Sequence, residues 1–223
     1  VFDKNHSLRN IKMQLNKKYF VFFSLTMLFL PVFIPSVAAD TSLTDVTSRG
    51  TLIIATDATY PPFEEYNTTT EEYEGFDMDL ARIICARLGV TPDIRNVDWG
   101  VIFTSLAAEQ YDCIISAVTI TPERELEMDF SRWYYKSQQA VMVTVANPES
   151  ITTIEDVNVT GIVAGCQLGT TSDLYLDDTN ATQAPYETIT LAVAALETGS
   201  VDCVLGDHAT LLSFIKSQPG EFE

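Results

Sequence analysis

The chain has 223 residues and carries 31 acidic against 13 basic side chains, a formal net charge of −18 at pH 7. A surface this acidic repels nucleic acid and anionic membranes, so neither is expected as a partner. The four cysteines form no CxxC pair and there are only two histidines, so no zinc site and no cofactor is predicted.

The first 39 residues have the three parts of a secretory signal peptide. Lys17 and Lys18 precede an apolar run over residues 19–35, and four small residues follow it. This pattern predicts cleavage after Ala39 and therefore a periplasmic or extracellular protein. The alternative is an uncleaved membrane anchor, which is disfavoured because the run spans only about 17 residues and contains prolines.

Removal of this segment makes the remainder still more acidic. Met13 is a candidate start, which would place residues 1–12 upstream of the true protein. Residues 1–39 hold five of the 13 basic residues and one of the 31 acids, which leaves 8 basic against 30 acidic residues, a net charge of −22. About 184 residues remain, enough for one large domain or two small lobes.

Alternating strands and helices follow in two similar units. The first unit alternates β-branched strands with amphipathic helices, and the second repeats that order, which predicts parallel, doubly wound α/β sheets. In the first unit we predict strands at 51–56, 93–97 and 113–118 and helices at 77–88 and 101–109. In the second we predict strands at 141–145, 161–164, 184–186 and 203–205 and helices at 173–176 and 189–197.

Two phrases of sequence correspond closely between the units. Residues 109–114 read EQYDCI and residues 199–204 read GSVDCV, and each phrase follows a helix and opens a strand. We therefore expect two lobes of similar build, lobe I over residues 40–137 and lobe II over residues 138–223. Most of the cysteines fall in apolar runs, which favours buried thiols over disulfides.

Arg124 stands out in so acidic a chain. It follows a buried strand and a run of hydroxyl residues, and ligands of open α/β sheets bind outside such strand ends. A guanidinium there is suited to a ligand carboxylate. The alternative is a surface ion pair with one of the neighbouring glutamates, Glu123, Glu125 or Glu127, which would do little.

Five ordered motifs give the chain a family resemblance. They are GFDMDLARIICARL at 75–88, ATDATYPPFE at 55–64, TITPER with MDFS between 119 and 131, QLGTT at 167–171, and Gly206-Asp207. From about residue 49 onward the sequence resembles the family 3 periplasmic solute-binding proteins, the polar amino acid receptors of ABC importers. It is similar to their glutamine-, histidine- and lysine/arginine-binding members.

The resemblance implies a fold, a function and partners. The fold is the two-lobed periplasmic-binding-protein type II fold, with a doubly wound sheet in each lobe. The function is capture of a polar or basic amino acid between the lobes by a monomer, which passes it to a membrane permease. Relatives continue beyond the point that matches Glu223, with a second crossing strand and helices that return to lobe I, so the sequence is expected to be a fragment or truncated.

The resemblance also assigns the end of the site that holds the ligand α-carboxylate. Arg124 is implied to fork onto this carboxylate, and a guanidinium matches it with two parallel hydrogen bonds. A glycine- and hydroxyl-rich turn at a helix start offers further amides to an anion. The residues implied on this side are Ser116, Ala117 and Thr119 from lobe I and Gln167, Thr171 and Ser172 from lobe II.

The remaining implied positions face the ammonium group and the side chain of the ligand. Asp207 matches the acceptor of the α-ammonium; a helix cap is its alternative role. Tyr60 and Trp99 match aromatic walls, with ordinary core packing as the alternative. Asp57 matches an acid that would favour a basic or amide side chain, unless it only bonds loop amides. Glu64 is interpreted as structural.

Two other functions stay open at this point. Some dehydratases use the same fold, but they need a general acid in the cleft, and His208 is the one candidate for it, so an enzyme is not predicted. The chain could also be the extracellular sensor domain of a receptor.

Overall fold

The structure, a computed structural model, describes residues 41–223. The predicted signal peptide, residues 1–39, lies outside the described residues. Over residues 41–223 no helix combines the length and the apolar character that a membrane crossing requires.

Lobe I is built on a parallel three-stranded sheet in the order β5-β1-β6, next to a small antiparallel sheet β2-β3-β4. Its strands are β1 (Thr51–Thr56), β2 (Thr59–Tyr60), β3 (Glu64–Asn67), β4 (Glu72–Glu74), β5 (Thr91–Asn96) and β6 (Cys113–Ile114). Its helices are α1 (Ser42–Arg49), α2 (Phe76–Leu88), α3 (Trp99–Ala107) and α4 (Pro122–Glu125).

Alternation along β1 explains why helices cover both faces of this sheet. Leu52 and Ile54 pack with Ala81 of α2 on one face, while Ala55 packs with Ile102 of α3 on the other. Side chains two residues apart lie on the same face of a strand, so a strand with four consecutive apolar residues at its centre needs cover on both sides. The doubly wound arrangement follows from that composition.

Lobe II has a four-stranded sheet in the order β7-β10-β8-β9. Strands β8, β9 and β10 are parallel, and β7 runs antiparallel to β10. The strands are β7 (Gln139–Met142), β8 (Val163–Gln167), β9 (Thr182–Tyr186) and β10 (Cys203–Asp207). The helices are α5 (Thr171–Asp177), α6 (Ile189–Glu197) and α7 (His208–Ser217), with a 3-10 turn at Ile154–Val157.

One aspartate plays the same part in each lobe. The Asp112 N–H donates to the Ile53 carbonyl at 2.9 Å, and its Oδ2 accepts from the Ile53 N–H at 2.7 Å. In lobe II, Asp202 makes the same two bonds with Val163, at 2.8 and 2.7 Å. The corresponding phrases of sequence thus fold into corresponding contacts between the third and first strands of each unit.

The structure corrects several predicted elements. The predicted strand 113–118 ends at Ile114, because Ala117 has a left-handed φ of 47° and residues 116 and 117 bond to buried carboxyls of lobe I. The predicted strand 141–145 begins and ends earlier, as β7. Helices α1 and α7 were not predicted. The four cysteines are free thiols.

The chain leaves lobe I after α4 through residues 126–138, which contain no helix or strand, and enters lobe II at β7. The predicted lobe limits at 137 and 138 stay a prediction.

Candidate functional site

A cleft of about 340 Å³, partly open to solvent, lies where β1, β6, β8 and β10 end. Ten of the eleven predicted site residues line it, and the eleventh, Ser172, is buried and donates its hydroxyl to Gln139. Glu64 and Thr170 line it as well. The predicted residues in the lining are Asp57, Tyr60, Trp99, Ser116, Ala117, Thr119, Arg124, Gln167, Thr171 and Asp207.

Arg124 projects into this cleft from the short helix α4. One guanidinium nitrogen donates to the Thr119 carbonyl at 2.8 Å and the other to the Gly169 carbonyl of lobe II at 3.2 Å. The central guanidinium carbon, Cζ, lies 5.5 Å from the ring centroid of Trp99 and 5.1 Å from that of Phe103. Aromatic faces attract a cation at such distances, so the guanidinium is held in place from two sides.

The alternative surface ion pair is not what the structure shows. Within residues 41–223 the ion pairs involve Arg49, Arg82 and Arg95, and Arg124 is bonded to backbone carbonyls instead. Burial lowers the pKa of Arg124, and the charge of Asp207 opposes that shift. The two groups therefore act on each other across the cleft.

Asp207, the last residue of β10, is held by donors from both lobes. Tyr60 of lobe I donates its hydroxyl to Oδ2 at 2.8 Å, and Gln139 Nε2 donates to Oδ1 at 3.2 Å. The carboxylate makes no capping hydrogen bond to α7, so the helix-cap role does not apply. Burial, and then the charge of Asp207, raises the pKa of Tyr60, which stays a neutral donor.

Gln139 is a contributor that the sequence did not reveal. Besides its bond to Asp207, its Nε2 donates to Thr171 Oγ1 at 3.1 Å, and its Oε1 accepts from the Ser172 hydroxyl. A single amide thus connects the strand that enters lobe II with the acid and hydroxyls of the site. A polar residue at the start of an otherwise apolar strand was the available signal.

Asp57 bonds both locally and across the cleft. Its Oδ1 accepts from the Thr59 hydroxyl at 2.8 Å, and its Oδ2 accepts from Gln167 Nε2 of lobe II at 3.0 Å. Burial is the main cause of a raised pKa at Asp57, and the two hydrogen bonds oppose it. The acid is therefore anchored by the loop but still faces the second lobe.

The two aromatic walls are both packed and exposed to the cleft. Tyr60 and Trp99 keep 8% and 9% of their surface accessible, and each belongs to a hydrophobic cluster as well as to the cleft lining. Trp99 Nε1 is buried and has no hydrogen-bond partner among the described residues. Core packing and a place in the cleft lining thus coincide at these two residues, and their role as walls for a ligand stays a prediction. His208 is exposed and outside the lining.

Comparison with known proteins places this chain in a family. The model of the bacterial extracellular solute-binding proteins, family 3, matches residues 52–193. The ABC transporter arginine-binding protein 1 of Escherichia coli (strain K12) is 32% identical over 164 residues, 73% of this chain and 65% of that protein. The putative ABC transporter arginine-binding protein 2 of the same strain is 30% identical over 190 residues, 84% of this chain and 75% of that protein.

A solved structure agrees with the fold. The arginine-bound form of truncated ArgBP from T. maritima matches with a TM-score of 0.76 and 31% identity, over 81% of this chain and 84% of that chain. Both curated relatives are named arginine-binding proteins, and the solved structure is of an arginine-bound form. This chain spans about two thirds to three quarters of the length of the two curated relatives.

These matches confirm the predicted two-lobed type II fold. The chain belongs to the bacterial extracellular solute-binding proteins of family 3.

Proposed function

We propose that the protein binds a free amino acid with a basic side chain, arginine foremost, between its lobes and delivers it to the permease of an ABC importer. The observation that carries this proposal is the charge layout of the cleft. One guanidinium, Arg124, lines the cleft together with three carboxyl groups. Glu64 accepts from the Ser116 hydroxyl, which leaves Asp207 and Asp57 as the two acids available to a ligand. A basic amino acid offers one carboxylate and two cationic groups, which complements that set.

The α-carboxylate is assigned to Arg124. The forked donors of a guanidinium match the two oxygens of a carboxylate, and such charge-assisted pairs are the strongest hydrogen bonds in proteins. Ser116 and Ala117 follow the end of β6, and they line the cleft together with Thr171, the first residue of α5 in lobe II. A carboxylate bound to Arg124 would replace the backbone carbonyls that the guanidinium now contacts.

The two cationic groups of the ligand are assigned to Asp207 and Asp57. Hydrogen bonds from Tyr60 and Gln139 hold the Asp207 carboxylate in place, where it would accept from the α-ammonium. Asp57 would face the side chain, with Trp99 beside it to attract a guanidinium by its aromatic face. The names of the arginine-binding relatives support the same choice of ligand.

Capture would proceed by hinge closure between the lobes. In this proposal the protein is an exported monomer that works in the periplasm or outside the cell. A receptor sensor domain is the runner-up; permease and ATPase genes beside this one would support transport, whereas a fused kinase would refute it.

The ligand assignment can be tested by calorimetric titration of L-arginine and L-citrulline, which replaces the guanidinium by a neutral urea group. We expect the wild-type protein to bind arginine roughly 10- to 100-fold more tightly, and Asp57→Asn to bring this ratio close to one. Asp93→Asn is the matched control, because Asp93 lies on the surface and pairs with Arg95 at 2.8 Å. A ratio unchanged in Asp57→Asn would contradict the role of Asp57.

A further inference from the structure

Two carboxyl groups outside the proposed set of ligand contacts lie buried against the cleft. Glu64 opens β3 and Asp77 stands in the first turn of α2, and the accessible surface of each is 0%. Fully buried acids are rare unless they are paired, because removing a charge from water is costly. Neither of these two acids forms an ion pair in the described part of the chain.

The backbone forces the two acids together. Gly75 has a φ of 124°, and a Cβ built on it would lie 2.3 Å from the Phe63 carbonyl oxygen. The N–H groups of Phe76 and Asp77 donate to the carbonyls of Pro62 and Phe63 at 3.0 and 2.9 Å. The start of α2 is therefore pressed against the residues that lead into Glu64.

Each acid holds one of two adjacent residues of the proposed carboxylate site. Glu64 Oε1 accepts from the Ser116 hydroxyl at 3.0 Å, and that hydroxyl accepts from the Asp57 N–H at 2.9 Å. Asp77 Oδ2 accepts from the Ala117 N–H at 2.6 Å. Ala117 has a φ of 47°, so its N–H bond to Asp77 helps to keep a strained backbone in place.

Asp77 also reaches the segment that connects the lobes. The Tyr134 hydroxyl donates to Asp77 Oδ2 at 2.7 Å, and the Tyr134 ring stacks on Phe76 with centroids 6.1 Å apart. Tyr134 lies within residues 126–138, through which the chain crosses to lobe II. The same carboxylate thus touches the ligand site and the crossing segment.

The second oxygens of the two acids, Glu64 Oε2 and Asp77 Oδ1, are buried and accept no hydrogen bond from any donor among the described residues. The pKa of Glu64 is raised well above its ordinary value of 4.5, first by burial and then by the charge of Asp77. The pKa of Asp77 is raised by burial too, but the donors Ala117 and Tyr134 oppose that shift. Asp57 adds a further negative charge near Glu64.

We propose that Glu64 and Asp77 share one proton, carried by Glu64, and that this neutral-plus-charged pair positions Ser116 and Ala117 for the ligand carboxylate. Two carboxyl groups that are both fully buried and act on each other's charge do not both ionise readily. Asp77 has two other donors and keeps the charge, whereas Glu64 has one and takes the proton. A protonated Glu64 also spares the bound carboxylate a negative neighbour in the cleft lining.

This inference rests on the proposed function, but one of its tests needs no ligand. A protonated Glu64 in the folded state adds stability that is fully present below about pH 4.5 and is lost as the pH rises towards its folded pKa. The amide of Glu64→Gln can accept from Ser116 and donate to Asp77, as a protonated Glu64 would, and it does not titrate. The melting temperature of Glu64→Gln minus that of the wild type should therefore grow above pH 4.5, by roughly 3–5 °C per pH unit.

The second test measures the affinity for L-arginine at pH 7. Glu64→Gln should stay within about twofold of the wild type, while Glu64→Ala should bind at least tenfold more weakly, because Ser116 loses its acceptor. Should Glu64→Ala not fold, Tyr134→Phe serves instead; it keeps the ring and loses the bond to Asp77, with an expected loss of about fivefold.

The outcomes separate the two proposals. A melting-temperature difference that is constant with pH overturns the shared proton. Wild-type affinity in Glu64→Ala, or in Tyr134→Phe, overturns the positioning role. If the wild-type protein binds no basic amino acid, the proposed function fails, and the thermal comparison still decides whether the acids share a proton.

Discussion

Replacement of Arg124 by alanine would remove the one cationic side chain of residues 41–223 that lines the cleft. In the proposed complex the ligand carboxylate would then be buried without its partner. Truncation of one member of such a charge pair costs about 2–5 kcal/mol of binding free energy.

The structure narrows that range. Arg124 is only partly buried, so water can replace some of the lost interaction, and the lower half of the range applies. We expect arginine binding to weaken by about 30- to 300-fold in Arg124→Ala. Arg124→Lys keeps the charge but loses the fork, so we expect an intermediate loss of about tenfold.

Isothermal titration of L-arginine into each purified variant measures these losses directly. Arg95→Ala is the matched control, since Arg95 is an exposed arginine that bonds Asp93 on the surface. Melting temperatures without ligand show whether Arg124→Ala is folded. Wild-type affinity in a folded Arg124→Ala protein would refute the assignment of the α-carboxylate to Arg124.

Two further variants test how the site is built. Gly75→Ala should destabilise the protein by several kcal/mol, because its Cβ would lie 2.3 Å from the Phe63 carbonyl oxygen at a φ of 124°. The control Gly100→Ala has open space around its Cβ and should be nearly neutral. Equal melting temperatures of the two variants would show that the close approach is absent. Tyr60→Phe removes the 2.8 Å hydrogen bond to buried Asp207 and should lower the free energy of unfolding, measured with urea, by about 1.5–3 kcal/mol. A Tyr60→Phe protein with the unfolding midpoint of the wild type would contradict this prediction.

The sequence predicted the fold well because its strands and helices are strongly patterned. The strand at 51–56 and the helix at 189–197 have the predicted bounds, since each is an apolar segment with clear limits. Strand 113–118 was predicted too long, because Ile115 and Val118 look like strand residues. The left-handed backbone at Ala117 depends on tertiary bonds to Asp77, which no local pattern reveals.

Site residues that belong to a sequence motif could be predicted, whereas residues that join the site only through long-range contacts could not. Ten of the eleven predicted residues line one cleft. Gln139 and Glu64 were missed as contributors because their importance lies in what they touch, Asp207 and Ser116, both distant in sequence. Polar networks between lobes leave little trace in a single sequence.

A thermal-shift screen of the twenty amino acids tests the central proposal most directly. At about 1,000 times its dissociation constant a ligand stabilises the folded state by about 4.1 kcal/mol, a rise of roughly 8–16 °C for a chain of this size. We predict that arginine gives the largest rise and that aspartate and glutamate give none. If no amino acid raised the melting temperature, or if the acidic ones did, the assignment of Arg124, Asp207 and Asp57 to a basic amino acid would be wrong.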